Sequence, residues 1–215
     1  MIKFYYLLQN STKNLIRSSG ILLSCSLICL SSFLSFCFLN AGFFFSYWHS
    51  YSIEEATEQG IVGIMGLTSP AGMLTTIFKF ISVFVAIMFI LSTLSAIRRL
   101  FFQMGNDQRP SFQTMSLVGE TTEFISLDFA FQSIYVTLTT LLIGVTAANN
   151  IFINLLNRSL ASGPFEKIVA GFKINTGFHL LVILWSCVYI GFRVFFFIKR
   201  YLHSFFDNSM TPEDT

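Results

Sequence analysis

A chain of 215 residues that is 53% hydrophobic, 17% aromatic and only 11% charged, with a mean hydropathy of +0.67, is too apolar for a soluble domain of its length. It reads as an all-α integral membrane protein. The formal net charge of +2 is spread out, without the cluster or stripe of Lys and Arg that a nucleic-acid partner requires. Cys25, Cys29, Cys37 and Cys187 all lie inside apolar runs and read as small buried hydrophobes rather than metal ligands, since no His or third Cys accompanies them.

Residues 1–19 combine Lys3, Lys13 and Arg17 with Phe4, Tyr5, Leu7, Leu8, Leu15 and Ile16. This predicts an amphipathic helix lying on the headgroups and bending into the membrane, not a cleaved signal peptide. The first span covers 20–48; at about 1.5 Å per residue it exceeds the roughly 30 Å hydrocarbon core, so it tilts or projects. Tyr47 and Trp48 suit the far interface. Residues 49–75 form an outer loop with Glu54, Glu55 and Glu58 but no Lys or Arg, predicting a short acidic helix followed by an apolar tip at Gly60, Gly63 and Gly66. The second span covers 76–97 and ends at Arg98 and Arg99.

Residues 98–132 hold three of the thirteen Lys and Arg and four of the eleven Asp and Glu, so this stretch lies in water beside the membrane. Pro110 can open a helix, because its missing N–H is not needed in the first turn. Phe112, Met115 and Val118 then recur at steps of three on one side of a short helix ending near Gly119, an exposed apolar ridge. Such a ridge either lies on headgroups or under its own helices, or enters a groove on a soluble partner.

The segment resembles the cytoplasmic loop of the FtsX-like ABC permeases, in a form nearer the cell-division members than the exporters. Arg109 stands ten residues before Gly119, where the family has its second basic residue. Met115, Leu117, Val118 and Gly119 stand at its apolar-Gly signature, and Thr121 to Phe124 and Ile125 continue it. The N-terminal amphipathic helix matches the family's elbow helix. The family carries a folded outer domain where this chain has only residues 49–75, too few for an independent core.

The third span, 133–153, carries Thr137, Thr139 and Thr140 and then Gly144, Ala147 and Ala148, small residues that permit close helix approach. A second outer loop, 154–176, carries Arg158, Glu166, Lys167 and Lys173. The fourth span, 177–198, holds His179 near its outer end and Arg193 in its inner third, both expected to snorkel toward headgroups. The tail, 199–215, resembles the family's C-terminus in a basic-aromatic run, Lys199 to Phe205, followed by Thr211, Pro212 and Glu213.

Orientation follows from Lys and Arg placement. Lys3, Lys13, Arg17, Arg98, Arg99, Arg109, Lys199 and Arg200 on one side outnumber Arg158, Lys167 and Lys173 on the other, which puts both termini and the central loop in the cytoplasm. No Walker A sequence, catalytic triad or metal-ligand spacing occurs, so the chain is expected not to be an enzyme.

The resemblance implies four transmembrane helices, an elbow helix and a cytoplasmic coupling helix, in a homodimer of the bacterial inner membrane. It further implies a cytoplasmic ATPase resembling FtsE as partner, which binds ATP and Mg while this chain binds neither. The partner would meet Arg109, Phe112, Met115, Leu117, Val118, Gly119 and Glu120. ATP-driven movement would then be carried by the helices to the outer loops and on to other division or cell-wall proteins, with membrane lipids around the spans. Two alternatives stand beside this one: a permease of the same superfamily that exports or extracts a peptide or lipid, and a non-energised membrane scaffold.

Overall fold

The computed structural model describes residues 19–58, 70–108, 112, 114–115, 119, 121–159 and 166–209, with side chains at 23–54, 72–108, 112, 114–115, 119, 121–158 and 166–203. Every element among them is helical: α1 Ser19–Glu58, α2 Pro70–Asp107, α3 Thr122–Ser159, the short α4 Glu166–Gly171, and α5 Thr176–Ser209. Four helices contain stretches long and apolar enough to cross a membrane, Leu23–Glu54, Gly72–Asp107, Thr122–Arg158 and Thr176–His203. The chain is an all-α membrane protein, with four long helices among the described residues. The expected helix at residues 1–19, the glycines at 60–66 and the Thr211 to Glu213 motif lie outside the described residues, apart from Ser19, where α1 begins.

The long helices outrun the apolar runs that announce them. The 40 residues of α1 rise about 60 Å, roughly twice the hydrocarbon thickness. The acidic stretch expected as a separate helix is instead the last turns of α1, because no Gly or Pro interrupts Trp48 to Glu58 and the Ser50 and Ser52 hydroxyls donate back to the Ser46 and Trp48 carbonyls. Likewise α2 continues past Arg98 and Arg99 to Asp107, and α3 starts at Thr122, well before the third apolar run. Charge marks where hydrocarbon ends; it does not end a helix.

The chain divides into two compact units. The first comprises residues 1–28, 93–140 and 182–215, the second 29–92 and 141–181. In the first, the end of α2, the start of α3 and the later turns of α5 bury apolar residues at helical spacing: Ile97, Phe101 and Met104; Ile125 and Phe129; Ile190, Val194 and Ile198. Gly105 meets the Ile198 Cδ1, which would stand 3.0 Å from a Cβ at that position, and Phe102 stacks on Phe197 with centroids 3.9 Å apart. Small residue against large lets α2 and α5 run side by side.

In the second unit, Phe44, Phe152, Leu156 and Ile168 form a core joining α1, α3 and α4, with Phe172 edge-on to Phe44 at 5.4 Å and 87°. At Gly144 of α3 the absence of a side chain admits Ser32 of α1; a Cβ there would lie 2.8 Å from the Ser32 Cβ and 3.1 Å from the Phe33 backbone nitrogen. Contact with backbone leaves nothing flexible to give way, so α1 and α3 must separate to admit any larger residue. Gly144→Leu is therefore expected to destabilise the protein by about 1–3 kcal/mol, read as a lower unfolding temperature in detergent. An unchanged transition would mean the two helices do not meet there.

Candidate functional site

The loop between α2 and α3 lies in the first unit. The Gln108 N–H donates to the Met104 carbonyl at 3.0 Å, and the Phe112 N–H donates to the Gln108 carbonyl at 3.1 Å, both at the four-residue helical spacing. Thr121 caps α3: its Oγ1 accepts the Phe124 N–H at 3.3 Å, and its carbonyl accepts the N–H groups of Phe124 and Ile125. Gly119 has φ = 92°, with open space where a Cβ would stand. That position needs glycine for its left-handed backbone rather than for room.

Phe112 corrects the expectation of a wholly exposed ridge, because it is only 4% exposed. Its ring meets Phe129 edge-on at 5.7 Å and 81°, and Phe101 approaches the same Phe129 at 5.9 Å and 86°. The reason lies in α3, which brings Phe129 within reach of the loop; burial with an edge-to-face contact is worth more to Phe112 than exposure to water. Met115 is half-buried and Thr114 exposed, so the described part of the ridge is divided between an inward ring and a partly outward thioether. Arg109, Leu117, Val118 and Glu120 lie outside the described residues. Beyond the loop, the Lys199 Nζ donates to the Glu123 Oε1 at 2.8 Å, joining α5 to the first turn of α3. Both side chains are exposed, so the pair orients more than it stabilises.

The second unit holds polar side chains in its interior. The Asn40 Nδ2 donates to the Asn149 Oδ1 at 2.8 Å, an amide pair between α1 and α3. Asn40 is fully buried, and its own Oδ1 has no protein partner, nor has the Oγ of buried Ser32. His179 corrects a second expectation: it is 2% exposed and does not snorkel. Its imidazole lies edge-on to Phe36 at 5.3 Å and 75°, with Phe43 at 6.3 Å, and neither ring nitrogen has a protein partner. An imidazole is too short to reach past such neighbours, whereas the long Arg193 side chain is exposed, its Cζ 5.8 Å over the Tyr189 ring.

Sequence reading missed the Asn40–Asn149 pair. The available signal was the amides inside two apolar runs, Asn40 in the first and Asn149 and Asn150 in the third, which hydrocarbon cannot solvate. The arrangement ties helices together and supplies no bond-making chemistry. Among the described residues no three His, Cys, Asp or Glu come together, and the cysteines are free thiols, Cys187 buried and the others half-buried.

Two measurements check these contacts. Phe112→Ala should cost about 3 kcal/mol and raise hydrogen exchange at the start of α3, while Phe112→Leu keeps most of the packing; equal behaviour of the two would argue against the Phe129 seat. A double-mutant cycle of Asn40→Ala and Asn149→Ala should give a coupling of about 0.6 kcal/mol, and at most about 1.7. Zero coupling would remove the amide pair.

No protein-family model, curated protein or solved structure matches this chain, so its function is read from its own residues.

Proposed function

We propose that this chain is the membrane subunit of an ABC-type complex resembling the FtsX-like permeases. In this reading it works as a homodimer in the bacterial inner membrane, with both termini and the loop between α2 and α3 in the cytoplasm. A separate ATPase resembling FtsE holds the ATP and Mg, grips the loop, and drives movement that serves cell division or cell-wall remodelling. The observation that carries the reading is the seat of Phe112 on Phe129. A loop used as a handle has to be fastened to what it moves, and here an inward ring fastens it to α3 while the Glu123–Lys199 pair joins α3 to α5.

This changes how the residues divide their work. Phe112 is a fastening within the chain rather than an anchor in the partner. Met115 remains the described anchor for a partner's groove; Leu117 and Val118 would extend it, with Arg109 and Glu120 as rim charges that set register and Gly119 as the break that ends the handle. The Met115 side chain is half-buried, as suits a residue that covers its own helices until a partner displaces it.

The burial of Phe112 also favours a second reading, a non-energised scaffold whose loop simply packs beneath its own helices. The two differ in one measurement. Met115→Asp should leave membrane insertion intact but abolish co-purification of an ATPase in mild detergent, a loss of at least about tenfold in bound partner. Equal recovery of ATPase with the variant would sink the docking model, and no ATPase with the wild type would favour the scaffold.

A further inference from the structure

The first unit carries a recess that the loop does not use. It lies between the ends of α2 and α5, with a volume of about 620 Å³, the scale of a small-molecule site. Arg98 of α2 and Arg193, Lys199 and Arg200 of α5 supply its charge, and Phe102 and Phe196 are among its apolar walls. No acidic side chain lines it. Lys199 is engaged with Glu123, but the guanidinium groups of Arg98, Arg193 and Arg200 have no carboxylate partner among the described residues and are exposed.

We propose that this recess binds the headgroup of an anionic phospholipid. Three observations choose a lipid over a soluble anion. Arg98, Lys199 and Arg200 stand where two apolar runs end, the level at which phosphates of a bilayer lie, and Arg193, in the last third of the second of those runs, has a side chain long enough to reach that level. On α5, Phe192 and Phe196 expose 64% and 51% of their surface beside those charges, an apolar face suited to acyl chains and wasted on a water-soluble ligand. Finally, Arg98 lies over the Phe102 ring at 5.1 Å and Arg193 over Tyr189 at 5.8 Å. A ring beside each guanidinium favours the cation there while leaving N–H groups able to take phosphate oxygens. The occupant is thus an amphiphile whose phosphate meets arginine and whose chains follow phenylalanine. This site is independent of any ATPase.

The test uses the full chain in detergent, titrated with phosphatidylglycerol or phosphatidylcholine and read by native mass spectrometry. Phosphatidylglycerol adducts are expected to persist and phosphatidylcholine adducts to be stripped. Arg98→Gln with Arg193→Gln should weaken phosphatidylglycerol binding about tenfold or more, since each basic group near the surface is worth about fivefold. Lys167→Gln with Lys173→Gln removes the same charge in the second unit and should change it by less than about twofold. Should the arginine pair fail to fold, Arg200→Gln carries the test alone, with a loss of about fivefold. Equal losses in the arginine and lysine pairs would reduce the effect to net charge and overturn the site, as would undiminished binding in Arg200→Gln. Displacement of the lipid by millimolar inorganic phosphate would overturn the lipid assignment in favour of a soluble anion.

Discussion

Hydrocarbon offers a polar group nothing to bond with, and the helices of this protein are arranged around that deficit. Their backbone groups satisfy one another, and their hydroxyls turn back onto the carbonyl three or four residues earlier: Ser35 onto Ser31, Ser133 onto Ala130, Thr137 onto Ser133, Thr140 onto Val136, Ser186 onto Val182. A chain so rich in serine and threonine can therefore cross lipid without a polar pathway. Most of these hydroxyls are spent locally, although Ser31 reaches across to the Phe89 carbonyl and buried Ser32 has no protein partner. Asn40 has a side chain too long for that solution, and it reaches across to Asn149 instead.

With lipid as apolar as any side chain, burial in these helices reflects shape more than water avoidance. On α5, Ile183, Ile190, Val194 and Ile198 are buried, while Leu184, Val188, Phe192 and Phe196 are equally apolar and exposed. What distinguishes the two faces is the fit of neighbours. In the first unit, Gly191 takes up Ile134, and Gly105 takes up Ile198. In the second, Gly42 takes up Val83. Rings fill what the glycines leave open, and at Phe129 the same packing holds the chain outside the apolar runs. The proposed handle is thus an extension of the helix-packing rules.

Much of this was legible beforehand, and the exceptions have specific causes. Four apolar runs announced four helices, because length and hydropathy are local properties. The helices run on past Glu54 and Arg98, which report the edge of the hydrocarbon, and two of them start at caps, Thr121 and Asn175, the latter with its Oδ1 accepting the Phe178 N–H. The periodicity of Phe112 and Met115 placed them on one side of a helix, but which side faced outward depended on Phe129. For His179, depth in the span predicts snorkelling, but Phe36 and Phe43, more than 130 residues away in sequence, lie against its ring. The basic recess is not legible in the sequence, because Arg98 and Arg193 are 95 positions apart and line one recess only when α2 and α5 lie together.

The amide pair has a consequence for how the protein is made. Asn40 and Asn149 are separated by 109 positions, so at a synthesis rate of roughly 5–20 residues per second the first amide emerges roughly 5–20 s before the second. During that interval α1 carries an amide that lipid solvates poorly and that has no Asn149 to bond. Final closure of the second unit waits on α3, which makes the order of translation part of the assembly pathway.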